Sequence, residues 1–289
     1  MQGKPGRDDT TRRAASAAAP AGRATVPGRG RTRSMRFVQF TDTHLLVDPD
    51  GSLRGAHTLP RLRACLEHAL RHWFPTDAIV ITGDVAHDEP AAYGTVDLLL
   101  GELEVPVLVI PGNHDDPAEM RRQLAHEPFQ IGGELRTTNG WQVVLLDSWY
   151  AESADGEGWL GPRQLASLDR ALAQGAEPHA FVFLHHPPVA MDSPALDRLG
   201  LLDGAELRLA VERHPRVRGV CWGHAHQALD IYAPGVRFMC TPATSMQFRP
   251  RNATFEVDDR PPGYRVIDLG DDGSIVSEVV WLEGWADPI

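Results

Sequence analysis

Residues 112–116 read Gly-Asn-His-Asp-Asp and come just after the apolar run 105–110, so an amide, an imidazole and two carboxylates crowd the end of an expected buried strand. Four more segments repeat the arrangement. Asp42 and His44 follow the run 36–40, Asp84 follows 78–82, His185 opens a His-His-Pro-Pro stretch after 181–184, and His224 and His226 follow 217–222. Oxygen and imidazole donors without thiolates suit Mn, Fe or Zn rather than softer metals. One divalent ion cannot take so many donors, but two ions sharing a carboxylate can, each keeping room for solvent. In an extended segment residues i and i+2 point the same way, so Asp42 with His44, and His224 with His226, are each expected to reach one ion together. Such groups converging without counter-ions would be costly to desolvate.

The elements that must position these donors follow from periodicity. From Met35 onward, short apolar runs alternate with stretches of helical spacing at 62–73, 96–103, 162–174 and 202–212. This is an α/β pattern, and α/β sheets bind ligands at the carboxyl ends of their strands. After residue 226 the runs 229–233, 236–240, 263–269 and 274–282 have strand spacing, so the fold is expected to close with strands. No internal repeat of solenoid or propeller period is visible.

Composition bounds the rest. A chain of 289 residues with 42% hydrophobic content can bury one sizeable core, and no apolar stretch reaches the ~18–20 residues of a membrane span. Residues 1–34 are rich in Gly, Ala, Pro, Ser, Thr and Arg without apolar periodicity, and are expected to be a disordered basic extension, with 35–289 as a single domain. Met35 is the expected natural start. One Lys and seven Arg against two Asp give the extension +6, and the chain total of −11 then leaves −17 on residues 35–289. So acidic a body argues against long nucleic acids as partners. Cys65, Cys221 and Cys240 form no disulfide or zinc framework and suggest a cytoplasmic setting, with Cys221 and Cys240 buried and inert.

In sequence order the blocks D-x-H, G-D, G-N-H-D, H and G-H-x-H resemble the calcineurin-like metallophosphoesterase superfamily, over residues 35–226. The resemblance implies a four-layer αββα sandwich of two mixed β-sheets flanked by helices. It implies one metal on Asp42, His44 and His226, a second on Asn113, His185 and His224, and Asp84 bridging both, with His186 as second choice to His185. Two ions roughly 3.5–4 Å apart lower the pKa of a shared water, and the resulting bridging hydroxide would attack phosphorus. His114, beside Asn113 but not a ligand, is then the candidate acid for the leaving alkoxide. Asp115 is expected to orient His114, with helix capping as its other possible role, although Asp116 before Pro117 suits a cap better.

Segments 42–58, 241–250 and 261–275 further resemble bacterial class III 3',5'-cyclic-AMP phosphodiesterases. The implied activity is hydrolysis of 3',5'-cyclic AMP to 5'-AMP. The alternatives are a broader phosphodiesterase acting on 2',3'-cyclic nucleotides or glycerophosphodiesters, and an inactive interaction scaffold. His57 departs from the small polar residue expected there. Trp149, Tyr150 and Trp159 are read as ordinary loop packing, the 241–248 stretch as either pocket lining or a sheet edge, and His68, His72, His87, His126, His179 and His214 as structural or surface residues. A homodimer is possible on this composition.

Overall fold

The computed structural model describes residues 33–287. The disordered extension expected over 1–34 therefore lies outside the described residues, apart from Arg33 and Ser34. Ser34 is already the first residue of a strand and pairs with Gly270.

The first half runs β1 (Ser34–Phe40), the short strands β2 (Ser52–Leu53) and β3 (Ala56–His57), α1 (Thr58–His72), β4 (Ala78–Thr82), α2 (Tyr93–Leu100), β5 (Val107–Ile110), α3 (Pro117–Leu124) and β6 (Phe129–Ile131). It continues with β7 (Gly133–Arg136), β8 (Trp141–Leu145), α4 (Gly161–Gln174), β9 (His179–Phe183), α5 (Pro194–Asp197), α6 (Gly204–Glu212) and β10 (Val217–Trp222). The chain closes with β11 (Leu229–Ala233), β12 (Val236–Cys240), β13 (Gln247–Phe248), β14 (Val257–Asp258), β15 (Gly263–Gly270) and β16 (Ile275–Trp281). Helix α3 starts where Asp116 accepts from the N–H groups of Ala118 and Glu119, with Pro117 at the first helical position, the cap that the sequence suggests.

Two six-stranded sheets result, in the orders β16-β15-β1-β4-β5-β6 and β11-β12-β10-β9-β8-β7. In the first, β1, β4, β5 and β6 run parallel while β15 and β16 close the edge antiparallel. In the second, β12, β10, β9 and β8 are parallel, flanked by antiparallel β11 and β7. Both are mixed sheets, as the αββα expectation requires.

Side-chain alternation decides the layering. Phe37, Val80 and Leu108 of the first sheet share one core with Trp141, Phe181 and Phe183 of the second, so these faces pack against each other. The intervening residues Val38, Ile79 and Val109 face outward onto Leu62, Leu66, Val96 and Met120 of α1, α2 and α3. Val144, Val182 and Val220 likewise face Leu168, Leu172 and Leu207 of α4 and α6. Strands buried on both faces read as continuous apolar runs, which is why 78–82 and 107–110 look alike. Each large side chain so buried contributes about 1.5–3 kcal/mol.

A polar seam crosses the apolar interior beneath the site. Gln39 on β1 donates to Thr82 Oγ1 at 2.8 Å and accepts from Thr241 Oγ1 at 2.7 Å. Fully buried Arg265 donates to Thr241 Oγ1 at 3.1 Å and to the Cys240 carbonyl at 2.7 Å. All three cysteines are free and buried. Among the described residues no helix is long and apolar enough to cross a membrane.

Candidate metal centre and its cleft

The loops that leave β1 and β4 stay paired beyond the strands: Asp42 N–H donates to Gly83 O at 3.0 Å and His44 N–H to Asp84 O at 2.8 Å. The backbone then turns in an unusual way. Asp42, His44, Asp84, His224 and His226 take φ of 52°, 44°, 48°, 62° and 50°. Each such left-handed non-glycine residue costs about 1–3 kcal/mol and persists only where its surroundings enforce it. The paired donors are therefore not extended, contrary to the expectation from i, i+2 spacing. In the GHAH turn the consequence is that His224 faces Asn113 and His185, while His226 faces His44 and Asp42. Gly112 and Gly223 complete the turns by close approach, because a Cβ at Gly112 would lie 2.3 Å from Asp84 Oδ1 and one at Gly223 2.6 Å from Asp42 Oδ2.

All seven predicted ligands meet on this floor. On one side the donor atoms of Asp42, His44 and His226 lie within 4.8 Å of one another, as do those of Asp42, Asp84 and His185. His44 Nε2 is 3.1 Å from His226 Nε2, and Asp84 Oδ2 is 3.5 Å from both His44 Nε2 and His185 Nε2. On the other side Asn113 Oδ1 is 2.9 Å from His224 Nδ1 and 3.2 Å from His185 Nε2. His186 also lies close, with a ring nitrogen within 4.8 Å of donors of His185 and His224, but both its nitrogens have other partners, Nδ1 at 2.8 Å from Ser148 Oγ and Nε2 at 3.1 Å from Gly156 O.

The tautomers show what the floor lacks. His226 Nδ1 must donate to the Met246 carbonyl at 2.6 Å, and His185 Nδ1 to the Thr82 carbonyl at 2.7 Å, because a carbonyl only accepts. In the neutral rings both Nε2 lone pairs then point at other acceptors. Buried His224 Nε2 finds no partner among the described residues. Lone pairs facing lone pairs and carboxylates are repulsive until cations sit between them, so the residues fit a pair of metal ions.

Titration follows the same logic. Burial alone would raise Asp84, but His185, His44 and His114 outweigh it and hold the carboxylate well below its ordinary range. Burial alone would lower His185, yet Asp84 and Asp42 push it up to about 9, which marks a place where positive charge is favoured. Burial, reinforced by His185, lowers His224 to about 3, and burial also lowers His44 well below its usual value, so both rings stay neutral and able to ligate.

His114 and Asp115 separate. The His114 ring lies beside the floor, with its centroid 5.2 Å from that of His44, and its Nδ1 is 3.2 Å from Asp88 Oδ1. The Asp115 carboxylate points the other way, accepting from the N–H groups of Val85, Ala86 and Gly112 at 2.9–3.0 Å and from the Tyr93 hydroxyl at 3.0 Å. The expected pairing of Asp115 with His114 is thus corrected: consecutive residues in a turn diverge, and Asp88 is the carboxylate at His114. His87, read as structural, also belongs here, with Nδ1 3.0 Å from His44 Nδ1 and its ring 4.3 Å from that of His114. The signal for both was their place in the Gly-Asp-Val-Ala-His-Asp loop directly after β4.

A family model described as calcineurin-like phosphoesterase matches residues 35–228. The chain belongs to that family. It is 35% identical over 256 residues to the 3',5'-cyclic adenosine monophosphate phosphodiesterase CpdA of Escherichia coli strain K12, covering 88% of this chain and 92% of the relative. It is 33% identical over 243 residues to the CpdA of Pseudomonas aeruginosa, covering 84% and 88%. Among solved structures, a dimetal phosphatase from Danio rerio superposes with a TM-score of 0.61 at 15% identity over 86% of this chain and 98% of that one, which shows a shared fold.

The floor of this calcineurin-like phosphoesterase opens into a cleft of about 340 Å³. His44, Asp84, Asn113, His114, His224 and His226 line its base, and Leu53, Arg54, Leu196, Leu199, Phe248 and Phe255 line its wall. Met246 and Phe248 from the 241–248 stretch are thus pocket residues, with Phe248 on β13 of a small hairpin outside both large sheets. Trp149, Tyr150 and Trp159 are not part of the lining; Tyr150 and Trp159 pack on each other with centroids 5.3 Å apart. His57 also stays out, its Nδ1 3.1 Å from the Asp50 carbonyl.

Proposed function

We propose that the protein is a two-metal phosphodiesterase that opens 3',5'-cyclic AMP to 5'-AMP. The reading is carried by the buried floor, in which Asp84 lies between His44 and His185 while Asp42, Asn113, His224 and His226 complete the two sides. Its choice of substrate is supported by 35% identity, over 88% of this chain, with a relative named for cyclic-AMP hydrolysis.

In this reading Asp42, His44 and His226 would hold one ion and Asn113, His185 and His224 the other, with Asp84, its Oδ2 3.5 Å from both His44 and His185, available to either group. The bound ions supply Lewis acidity and an activated water. The protein's own residues do the rest. Carbonyls of Met246 and Thr82 fix the His226 and His185 rings with Nε2 toward the cleft. Asp88 occupies Nδ1 of His114, which leaves Nε2 as the nitrogen that can serve a substrate. The water gives up one proton to solvent and its oxygen joins phosphorus, the bond from phosphorus to the 3' oxygen breaks, and His114 Nε2–H passes its proton to that oxygen, to be reprotonated from solvent before the next turnover. Nearly complete burial of the floor excludes competing bulk water and strengthens each electrostatic contact.

The test is hydrolysis by Mn-reconstituted protein of 3',5'-cyclic AMP, 3',5'-cyclic GMP, 2',3'-cyclic AMP, a glycerophosphodiester and an aryl diester under one set of conditions. Highest kcat/KM on 3',5'-cyclic AMP is expected. Preference for 2',3'-cyclic AMP or the glycerophosphodiester would keep the metal floor and replace the substrate.

A further inference from the structure

One wall of the cleft carries an unmatched charge. Arg54 occupies the tip of the two-residue turn between β2 and β3, where it and Gly55 take φ of 51° and 87°. Two consecutive positive φ values make the tight hairpin turn that favours Asn-Gly, and nothing within the turn calls for an arginine there. The exposed guanidinium lies 5.7 Å over the Phe248 ring, and among the described residues no carboxylate pairs with it. In a body of net charge −17 an unpaired cation at the mouth of the cleft is available to a ligand.

Phe248 connects that cation to the floor. Its ring centroid is 4.6 Å from His226 and 5.5 Å from Phe255, which meets it edge-on at 67°. The aromatic wall therefore begins where the ligand set ends, and Leu53 and Leu196 extend it as apolar lining.

We propose that Arg54 and Phe248, backed by Phe255, form the wall that receives the nucleobase of a cyclic nucleotide. The inference rests on reading the floor as a cyclic-nucleotide phosphodiesterase site. A phosphate on the floor places its sugar beside His226 and its base against Phe248. Aromatic rings stack on any base, and a planar guanidinium can cover the base's other face. Stacking detects that a base is present more than which base it is, so the wall separates nucleotides from base-free diesters and discriminates weakly between adenine and guanine.

The experiment compares wild type, R54A and F248L on 3',5'-cyclic AMP and on propane-1,3-diyl phosphate, a six-membered cyclic diester with no sugar or base. R54A removes an exposed side chain that makes no hydrogen bond among the described residues, so it tests the wall even if F248L perturbs His226. The ratio of kcat/KM for cyclic AMP over the base-free diester is expected to fall about tenfold in each variant, chiefly through KM on the nucleotide. An unchanged ratio in R54A overturns the assignment, as does an equal loss on both substrates. If wild type leaves 3',5'-cyclic AMP untouched, the proposed function fails, and the same ratio taken with 2',3'-cyclic AMP judges the wall separately.

Discussion

On the floor of the cleft, six of the seven candidate ligands are buried at strand ends, whereas on the wall Arg54, Phe248 and Phe255 ride on small hairpins and stay partly open. The floor holds left-handed backbone at five donor residues because the parallel strands and buried hydrogen bonds beneath it over-determine the loops. The wall's two hairpins hold only two such non-glycine residues, Arg54 and Arg251, neither of them a ligand donor, and have no such foundation. Chemistry common to many phosphate esters needs fixed geometry, and the floor supplies it. Choice among those esters needs only a surface that can vary, and hairpins beyond the sheets supply that.

If the floor acts as one unit, Asp84→Asn should do the most damage. Fewer metal ions per chain are expected, with activity falling beyond the ~10³-fold that loss of a single stabilising donor costs in a hydrolase. Metal analysis and turnover together check this. Activity that survives intact would remove the metal argument.

His114 sits between the two regions, touching the floor through its backbone N–H to Asp84 Oδ1 at 2.9 Å while its ring faces the cleft. His114→Ala should keep both metals and lose about 10²- to 10⁴-fold in kcat on a diester with a poor leaving group. An aryl diester, which needs no proton on its leaving oxygen, should lose far less. Asp88→Asn should follow the same substrate pattern at smaller size, about 10- to 100-fold, as expected for a partner that only orients the ring. Equal losses on both leaving groups would remove His114 from proton transfer and Asp88 from its service.

Why the floor was legible in the sequence and the wall was not has a physical reason. Asp42, His44, Asp84, Asn113, His185, His224 and His226 each follow an apolar run directly, and an α/β sheet converts that position into shared space. The apolar runs 78–82 and 107–110 marked the strands but not their faces: buried on both sides, they carry no alternation, and only packing shows which residues meet the helices and which the other sheet. Adjacency misled at Asp115, because the turn sends its carboxylate under the loops while Asp88, 26 residues before His114, closes on the imidazole. The wall joins Arg54, Leu196 and Phe255, whose segments share no period and whose meeting is decided by tertiary packing alone. The seam of Gln39, Thr241 and Arg265 was invisible for the same reason.

The smallest predicted effect concerns the brace that makes the floor rigid. Burial, with the nearby charge of Asp84, raises Asp115 from 3.8 to about 6, against the backbone N–H donors of Ala86, Gly112 and Val85. Between those values the folded state binds more protons than the unfolded chain. The linked stabilisation is full below about pH 3.8 and is lost as pH rises through about 6. Asp115→Asn carries no titrating proton and gives up one acceptor oxygen to the N–H groups it braces, a loss of about 1–3 kcal/mol. In metal-free protein the stability gap between wild type and variant should therefore narrow between about pH 4.5 and about pH 6.5. Urea unfolding in the presence of a chelator at both values measures the gap. A gap that widens toward neutral pH would mean that the N–H donors, rather than burial, set the charge of Asp115, and that the floor is braced by a carboxylate ionised throughout.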